Sequence, residues 1–140
     1  MPNGDEIVSS LRGLALFHDL GQAELEQIAD PDWERRFPAG ERVLRRGLSG
    51  SGFYVILDGE AAVRIDGDEL NRLRRGDFFG EVSTLLSAPP TADIVAESAL
   101  HCLEVPGPEL EKFLLAHPRV MLEVLKTEAR RLQDALAWRG

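Results

Sequence analysis

The spacing of apolar positions changes twice along this chain. From Asp5 to Asp30, Ile7, Val8, Leu11, Leu14, Leu16 and Phe17, then Leu25 and Ile28, recur at roughly helical intervals. This predicts two short helices, punctuated by Gly13 and by Leu20-Gly21, the second stopped at Asp30-Pro31-Asp32. Short β-prone runs follow: WERRF, ERVLRR, FYVIL, EAAVRI, ELNRL, DFFG, ADIVA and ALHCLEV, separated by turns rich in Gly, Asp and Pro. Tyr54, Val55 and Ile56 are apolar on both faces, as in a strand between two packed layers, whereas Ala61, Val63 and Ile65 alternate with Arg64. Eight strands in this order predict a compact, mainly β jelly-roll barrel, interrupted once by a helical turn from Glu81 to Ser87.

From Pro108 the helical period returns. Pro108-Glu109 opens a helix with Leu110, Phe113 and Leu114 as its apolar stripe, and His117-Pro118 breaks it. A last long helix carries Met121, Leu122, Leu125, Ala129, Leu132 and Leu136. Its length predicts packing on the barrel with enough left over to meet a second copy of the chain. The expected organisation is one domain over residues 1–140: helices to 32, the barrel over 33–107 and helices over 108–140.

Composition narrows the chemistry. Twenty-four acidic against 16 basic side chains leave a formal charge of −8, which disfavours nucleic acid and anionic membranes as partners. The arginine pairs at 35-36, 45-46, 74-75 and 130-131 are scattered among acids and read as solvated surface. Cys102 is the single cysteine, so no internal disulfide forms. With no apolar run long enough to span a bilayer, a cytoplasmic location is expected. An enzyme reading finds little support. His18, His101 and His117 are too dispersed to converge on a metal, and no nucleophile elbow or Walker loop is present.

The stretch FGEVSTLLSAPPTA, from Phe79 to Ala92, holds the candidate chemistry. A helix opening at Gly80 presents N–H groups suited to a phosphate oxygen, and Glu81 beside it offers an acceptor for a sugar hydroxyl. Val82 and Ser83 continue that first turn, and Thr91 and Ala92 add a hydroxyl and an N–H on the returning strand. A sugar phosphate answers to this combination.

GERVLRRG, FYVILDGEAAVRI, LRRGDFFGE, LLS, PTA and the closing ARRL resemble the cyclic nucleotide-binding domain of catabolite activators and protein kinase A regulatory subunits, with Gly40, Gly47, Gly59 and Gly76 in matching order. The resemblance runs from about Leu14 to the chain end. It implies a regulatory module for cyclic AMP or cyclic GMP, with no cofactor. Glu81 would lie on the ribose, Gly80 near the ligand, and Thr91 and Ala92 on the phosphate or base. One departure is specific: where the family usually has a phosphate-binding arginine, this chain has Pro90. The implied site is weakened, with Arg45, Arg72 and Arg74 as substitutes suggested by strand order, Trp138 as a possible lid, and a ligand-free scaffold for dimerisation or protein contacts as the alternative. Other positions that differ from the family pattern are Thr84, Asp93 and Leu48. Only Gly140 follows Arg139 here, so a helix-turn-helix and direct DNA binding are not expected.

Overall fold

The computed structural model describes residues 4–48 and 51–137. The N-terminal helices are α1 (Gly4–Arg12) and α2 (Gln22–Ile28), with one-turn 3-10 helices at Ala15–Phe17 and Pro31–Trp33. The eight strands are β1 (Glu34–Phe37), β2 (Arg42–Leu44), β3 (Gly52–Asp58), β4 (Ala61–Ile65), β5 (Asp68–Leu73), β6 (Phe78–Phe79), β7 (Asp93–Ala96) and β8 (Leu100–Pro106). Helix α3 (Glu81–Leu85) interrupts them, and α4 (Leu110–Ala116) and α5 (Pro118–Ala137) close the described chain.

The strands form two antiparallel four-stranded sheets, ordered β1-β8-β3-β6 and β2-β7-β4-β5. The sheets face one another without closing into a continuous barrel. Strand β3 shows why its sequence is apolar throughout. Phe53, Val55 and Leu57 enter a core shared with Ile7, Leu11, Phe17, Leu110 and Val120 of the helical layer. Tyr54 and Ile56 point the other way, into a second core with Leu44, Ala61, Phe79 and Ile94 between the sheets. The strand is thus covered on both faces. Its neighbour β8 alternates likewise, with Leu103 and Val105 on the helix side and Leu100 and Cys102 between the sheets. Strands β4 and β5 are joined at Asp66-Gly67, both at positive φ (53° and 85°), the backbone that a two-residue hairpin favours.

The long last helix differs from its sequence reading. Its inward face begins with Val120 and Val124, both buried, whereas Leu122, Leu125, Leu132 and Leu136 are exposed. The leucine stripe therefore does not pack on the sheets. Two β-branched residues one turn apart suffice to anchor α5, and the sequence reading was drawn to the longer stripe.

Helix α3 is placed by close backbone contact. Gly80 has φ 89°, and a Cβ there would lie 2.2 Å from the carbonyl oxygen of Gly52 at the start of β3. The Thr84 hydroxyl accepts from Gly52 N–H at 2.8 Å and donates to Gly52 O at 3.2 Å. Gly80→Ala adds a clash to an unfavourable φ, and a loss of about 3 kcal/mol is expected. Gly67→Ala is the control: its φ is 85° but no atom lies within 4 Å of the added Cβ, so about 1 kcal/mol is expected. Urea unfolding of both variants measures the difference, and equal losses would remove the crowding argument.

Candidate functional site

A cavity of about 330 Å³ lies between the inner face of the β2-β7-β4-β5 sheet, the α3 segment and α5. Leu44, Val63, Leu73 and Ile94 give it an apolar floor, with Phe78 and Phe79 beside them and Asn71 as a polar exception. Gly80, Glu81, Val82, Ser83, Pro90, Thr91 and Ala92, the residues singled out from the sequence, all line it. The folded chain brings together two segments separated by the α3 turn and its loop. Trp138 lies outside the described residues.

The cavity's most unusual group is Glu81. It opens α3, is 4% exposed, and its Oε2 accepts no hydrogen bond. Its Oε1 accepts from Arg131 Nη1 of α5 at 3.1 Å. The same Nη1 donates to Glu128 Oε1 at 3.2 Å, Nη2 donates to the carbonyl of Phe78 at 2.9 Å, and the guanidinium carbon lies 4.6 Å from the centre of the Phe78 ring. The stacked ring and three acceptors hold one cation against the mouth of the cavity.

This arrangement follows from helical geometry. The face of α5 that starts as Val120 and Val124 reaches Glu128 and Arg131 four and seven residues beyond Val124. Its first half therefore seats apolar side chains in the core, and its second half delivers a charged pair to Glu81. Two carboxylates share one guanidinium, so burial favours taking up a proton to make the cluster neutral. The proton settles on Glu81, the more buried acid. Burial chiefly, then hydrogen bonding and repulsion from Glu128, lift its pKa to about 8, and Arg131 only partly opposes them.

The return segment is anchored separately. Pro90 is buried, and its carbonyl accepts from Gly47 N–H at 2.9 Å. Thr91 is exposed and Ala92 half-buried. Asp93 Oδ1 accepts from Arg46 N–H at 2.8 Å, so the acid at this position ties β7 to the turn that follows β2. Ser83 Oγ donates to the Gly80 carbonyl at 3.3 Å.

The strand arginines suggested as substitutes do not reach the cavity. Arg72 pairs with Glu69 at 2.8 Å and Glu60 at 3.6 Å, Arg74 pairs with Glu60 at 3.5 Å, and Arg45 is exposed and outside the lining. Among the described residues Arg131 is the one cation that lines it. Strand order could not have found it, since it comes from another layer. The available signal was the spacing of Val120, Val124, Glu128 and Arg131 along one helical face.

With this geometry in view, the comparisons with known proteins can be placed. Residues 34–117 match the model of the cyclic nucleotide-binding domain. The chain belongs to that family. It is 39% identical over 93 residues to the cAMP-dependent protein kinase regulatory subunit of Mycosarcoma maydis, covering 64% of this chain and 18% of the relative. It is 31% identical over 102 residues to the cAMP-dependent protein kinase type II regulatory subunit of Drosophila melanogaster, covering 70% of this chain and 27% of the relative. The chain thus spans less than a third of each relative's length. Among solved structures it resembles a triple mutant, with one substitution to arginine, of the regulatory subunit of a cAMP-independent protein kinase A from Trypanosoma brucei, bound to cAMP in the A site. That likeness has a TM-score of 0.73 at 25% identity and covers 95% of this chain and 51% of the other. As a member of the cyclic nucleotide-binding family, the chain carries the fold seen in regulatory subunits of protein kinase A. No helix among its described residues is long and apolar enough to cross a membrane.

The raised Glu81 pKa has a consequence for stability. The folded protein holds this proton up to about pH 8, whereas an unfolded glutamate releases it near 4.5. The contribution is complete below the unfolded value and is lost as pH rises through the folded one. The titration involves the α5 groups facing Glu81, Glu128 and Arg131; no other charged side chain lines the cavity among the described residues. The urea midpoint should therefore fall between pH 5 and 8.5, and Glu81→Gln should flatten that fall. Equal slopes in both proteins would show that the proton sits elsewhere.

Proposed function

We propose that this domain is a non-catalytic sensor for cyclic AMP, with the ribose on Glu81 and the cyclic phosphate near Gly80, Val82, Ser83, Thr91 and Ala92. The observation that carries this reading is the Glu81 carboxyl, buried in the wall of a largely apolar cavity with Oε2 accepting no hydrogen bond. A buried acceptor of this kind is costly unless a donor comes to it, and a ribose hydroxyl is such a donor. The apolar floor offers a surface for a purine. The similarity to regulatory subunits of cAMP-dependent protein kinases supports cyclic AMP as the ligand. The charge of −8 and the cavity's chemistry support a small-molecule ligand, with no direct role on DNA. A single buried cysteine fits a reducing, cytoplasmic setting.

The phosphate site is weak in this reading. Pro90 offers neither a side-chain cation nor a backbone N–H, and the one cation present is shared between two carboxylates. Calorimetry with cyclic AMP and cyclic GMP should give micromolar or weaker binding. Glu81→Ala should cost about 1.5–3 kcal/mol of binding, and an unchanged affinity would remove the ribose assignment. Pro90→Arg should gain roughly tenfold or more, less so at high salt, because it restores a charge-assisted phosphate contact. The carbonyl of residue 90 keeps its bond from Gly47 in that variant. Silence of both wild type and Pro90→Arg would favour a ligand-free scaffold.

The sensor is proposed to act as a homodimer through α5. Leu122, Leu125, Ala129, Leu132 and Leu136 follow one another at alternating steps of three and four residues, and each is exposed. That repeat is the seam of a two-stranded coiled coil, and its natural occupant is the same seam of a second copy. It runs apart from the Val120 and Val124 face, so pairing does not compete with docking on the core. Sedimentation at high micromolar concentration should give a dimer for wild type and a monomer for Leu125→Glu/Leu132→Glu. A wild-type monomer would overturn the assignment.

A further inference from the structure

Two acids and one cation meet at the edge of the cavity. Glu81 Oε1 and Glu128 Oε1 accept from the same nitrogen of Arg131, at 3.1 and 3.2 Å, which brings the two carboxyl groups side by side. Their surroundings differ: the Glu81 side chain is 5% exposed and its Oε2 accepts no hydrogen bond, whereas Glu128 is 33% exposed. Water supports a charge on Glu128, and Glu81 has no such support. No further charge reaches Glu81 to change this balance. Arg131 is the one cation lining the cavity among the described residues, and Pro90 brings neither charge nor N–H. From β3, Tyr54 packs at Gly80, and burial, with Glu104 beside it, raises the pKa of its phenol and keeps it neutral. From α4, which also meets α3, Glu111 and Lys112 are exposed and outside the lining.

We infer that Glu128 is a positioning residue that keeps a proton on Glu81, and that an anionic ligand enters this cavity with that proton as its co-ligand. The inference rests on the nucleotide-sensor reading for the place of the phosphate, beside Gly80 and so next to Glu81. With Glu128 charged, Arg131 charged and Glu81 neutral, the three groups sum to zero, and a cyclic phosphate adds one negative charge. Without the proton the phosphate meets a cluster already negative, close by and shielded from water. Burial first, then Glu128, raises the pKa of Glu81 to about 8 in the unliganded protein. A phosphate beside it raises that value further, so the bound state holds the proton more tightly than the free one. The sign follows: affinity for an anion is complete below about pH 8 and falls as pH rises through that value. An uncharged ligand with the same sugar feels no such penalty.

Calorimetry with two probes between pH 6.5 and 9.5 separates charge from the sugar contact. Cyclic AMP carries one negative charge, adenosine carries none, and neither titrates in this window. Wild type should bind cyclic AMP with level affinity up to about pH 8 and roughly tenfold more weakly at pH 9.5, a fall moderated by the partial exposure of Arg131 and Glu128. Adenosine affinity should hold within about twofold. In Glu128→Gln the cyclic AMP fall should move about one pH unit lower or more, leaving affinity level above pH 8. Glu128→Asp keeps the charge and should keep the wild-type profile. A further readout needs no variant to fold: at pH 8.5, wild type should take up about half a proton with cyclic AMP and none with adenosine, measured from binding heats in two buffers of different ionisation enthalpy. A purely structural Glu128 would leave the fall where it is in Glu128→Gln, and that result overturns the inference, as does an aspartate variant that follows the glutamine one. Equal pH slopes for the two probes, or no proton uptake with cyclic AMP, overturn it while the sensor reading stands. Adenosine bound with cyclic AMP silent at every pH overturns it too, because the protonated site would then still refuse an anion. Silence of both probes throughout removes the sensor reading and this inference together.

Discussion

The site is organised around one guanidinium shared by two carboxylates and a carbonyl at the edge of a buried space. Without Arg131, Glu81 would be a nearly inaccessible acid facing another acid, an arrangement that costs several kcal/mol unless a proton intervenes. With it, and with the proton that Glu81 holds, the cluster is neutral, and α5 acquires a reason to lie where it does beyond Val124. The cassette, the terminal helix and the protonation of Glu81 are consequently one system. A change in any of them shifts the other two.

That system depends on a close backbone fit beneath it. Gly80 can hold its positive φ with the Gly52 carbonyl against it only because it carries no Cβ, and Thr84 secures the contact from both the N–H and the carbonyl of Gly52. The first turn of α3 is thereby pinned to β3, a strand packed on both faces. Glu81 is presented beside a strand buried on both faces, while its partner Arg131 comes from a helix half with no buried apolar residue among those described.

Much of this was legible in the sequence, for physical reasons that also define where legibility ended. The strands were read in their observed order because turn residues separate them and because β3 is apolar on both faces. The cassette residues were read together because they lie within one short stretch whose chemistry is local. The register of α5 was misread: Met121 and the leucines form the more conspicuous stripe, whereas the anchoring face holds two valines and then turns polar. Amphipathic periodicity locates an apolar face but does not say whether it meets the core or another molecule. Arg131 escaped for a related reason. Its partner Glu81 is 50 residues away, and a search along neighbouring strands looks within the sheets, not to a helix crossing from outside.

Pro90, proposed above to weaken the phosphate site, takes its meaning from this charge balance. If Glu81 and Glu128 are both ionised, Arg131 leaves the cluster with one negative charge, and a cyclic phosphate would bring another into the same cavity. An added arginine at 90 would have balanced that arrival. Pro90 instead contributes a buried ring and a carbonyl already bonded to Gly47, so the site has no cation in reserve. Two ways of accommodating the anion remain within the described residues: Glu81 keeps its proton, or Arg131 turns from Glu81 towards the phosphate. The first leaves Glu81 both a donor and an acceptor for the proposed ribose contact, and the second surrenders the bond between Arg131 and Glu81.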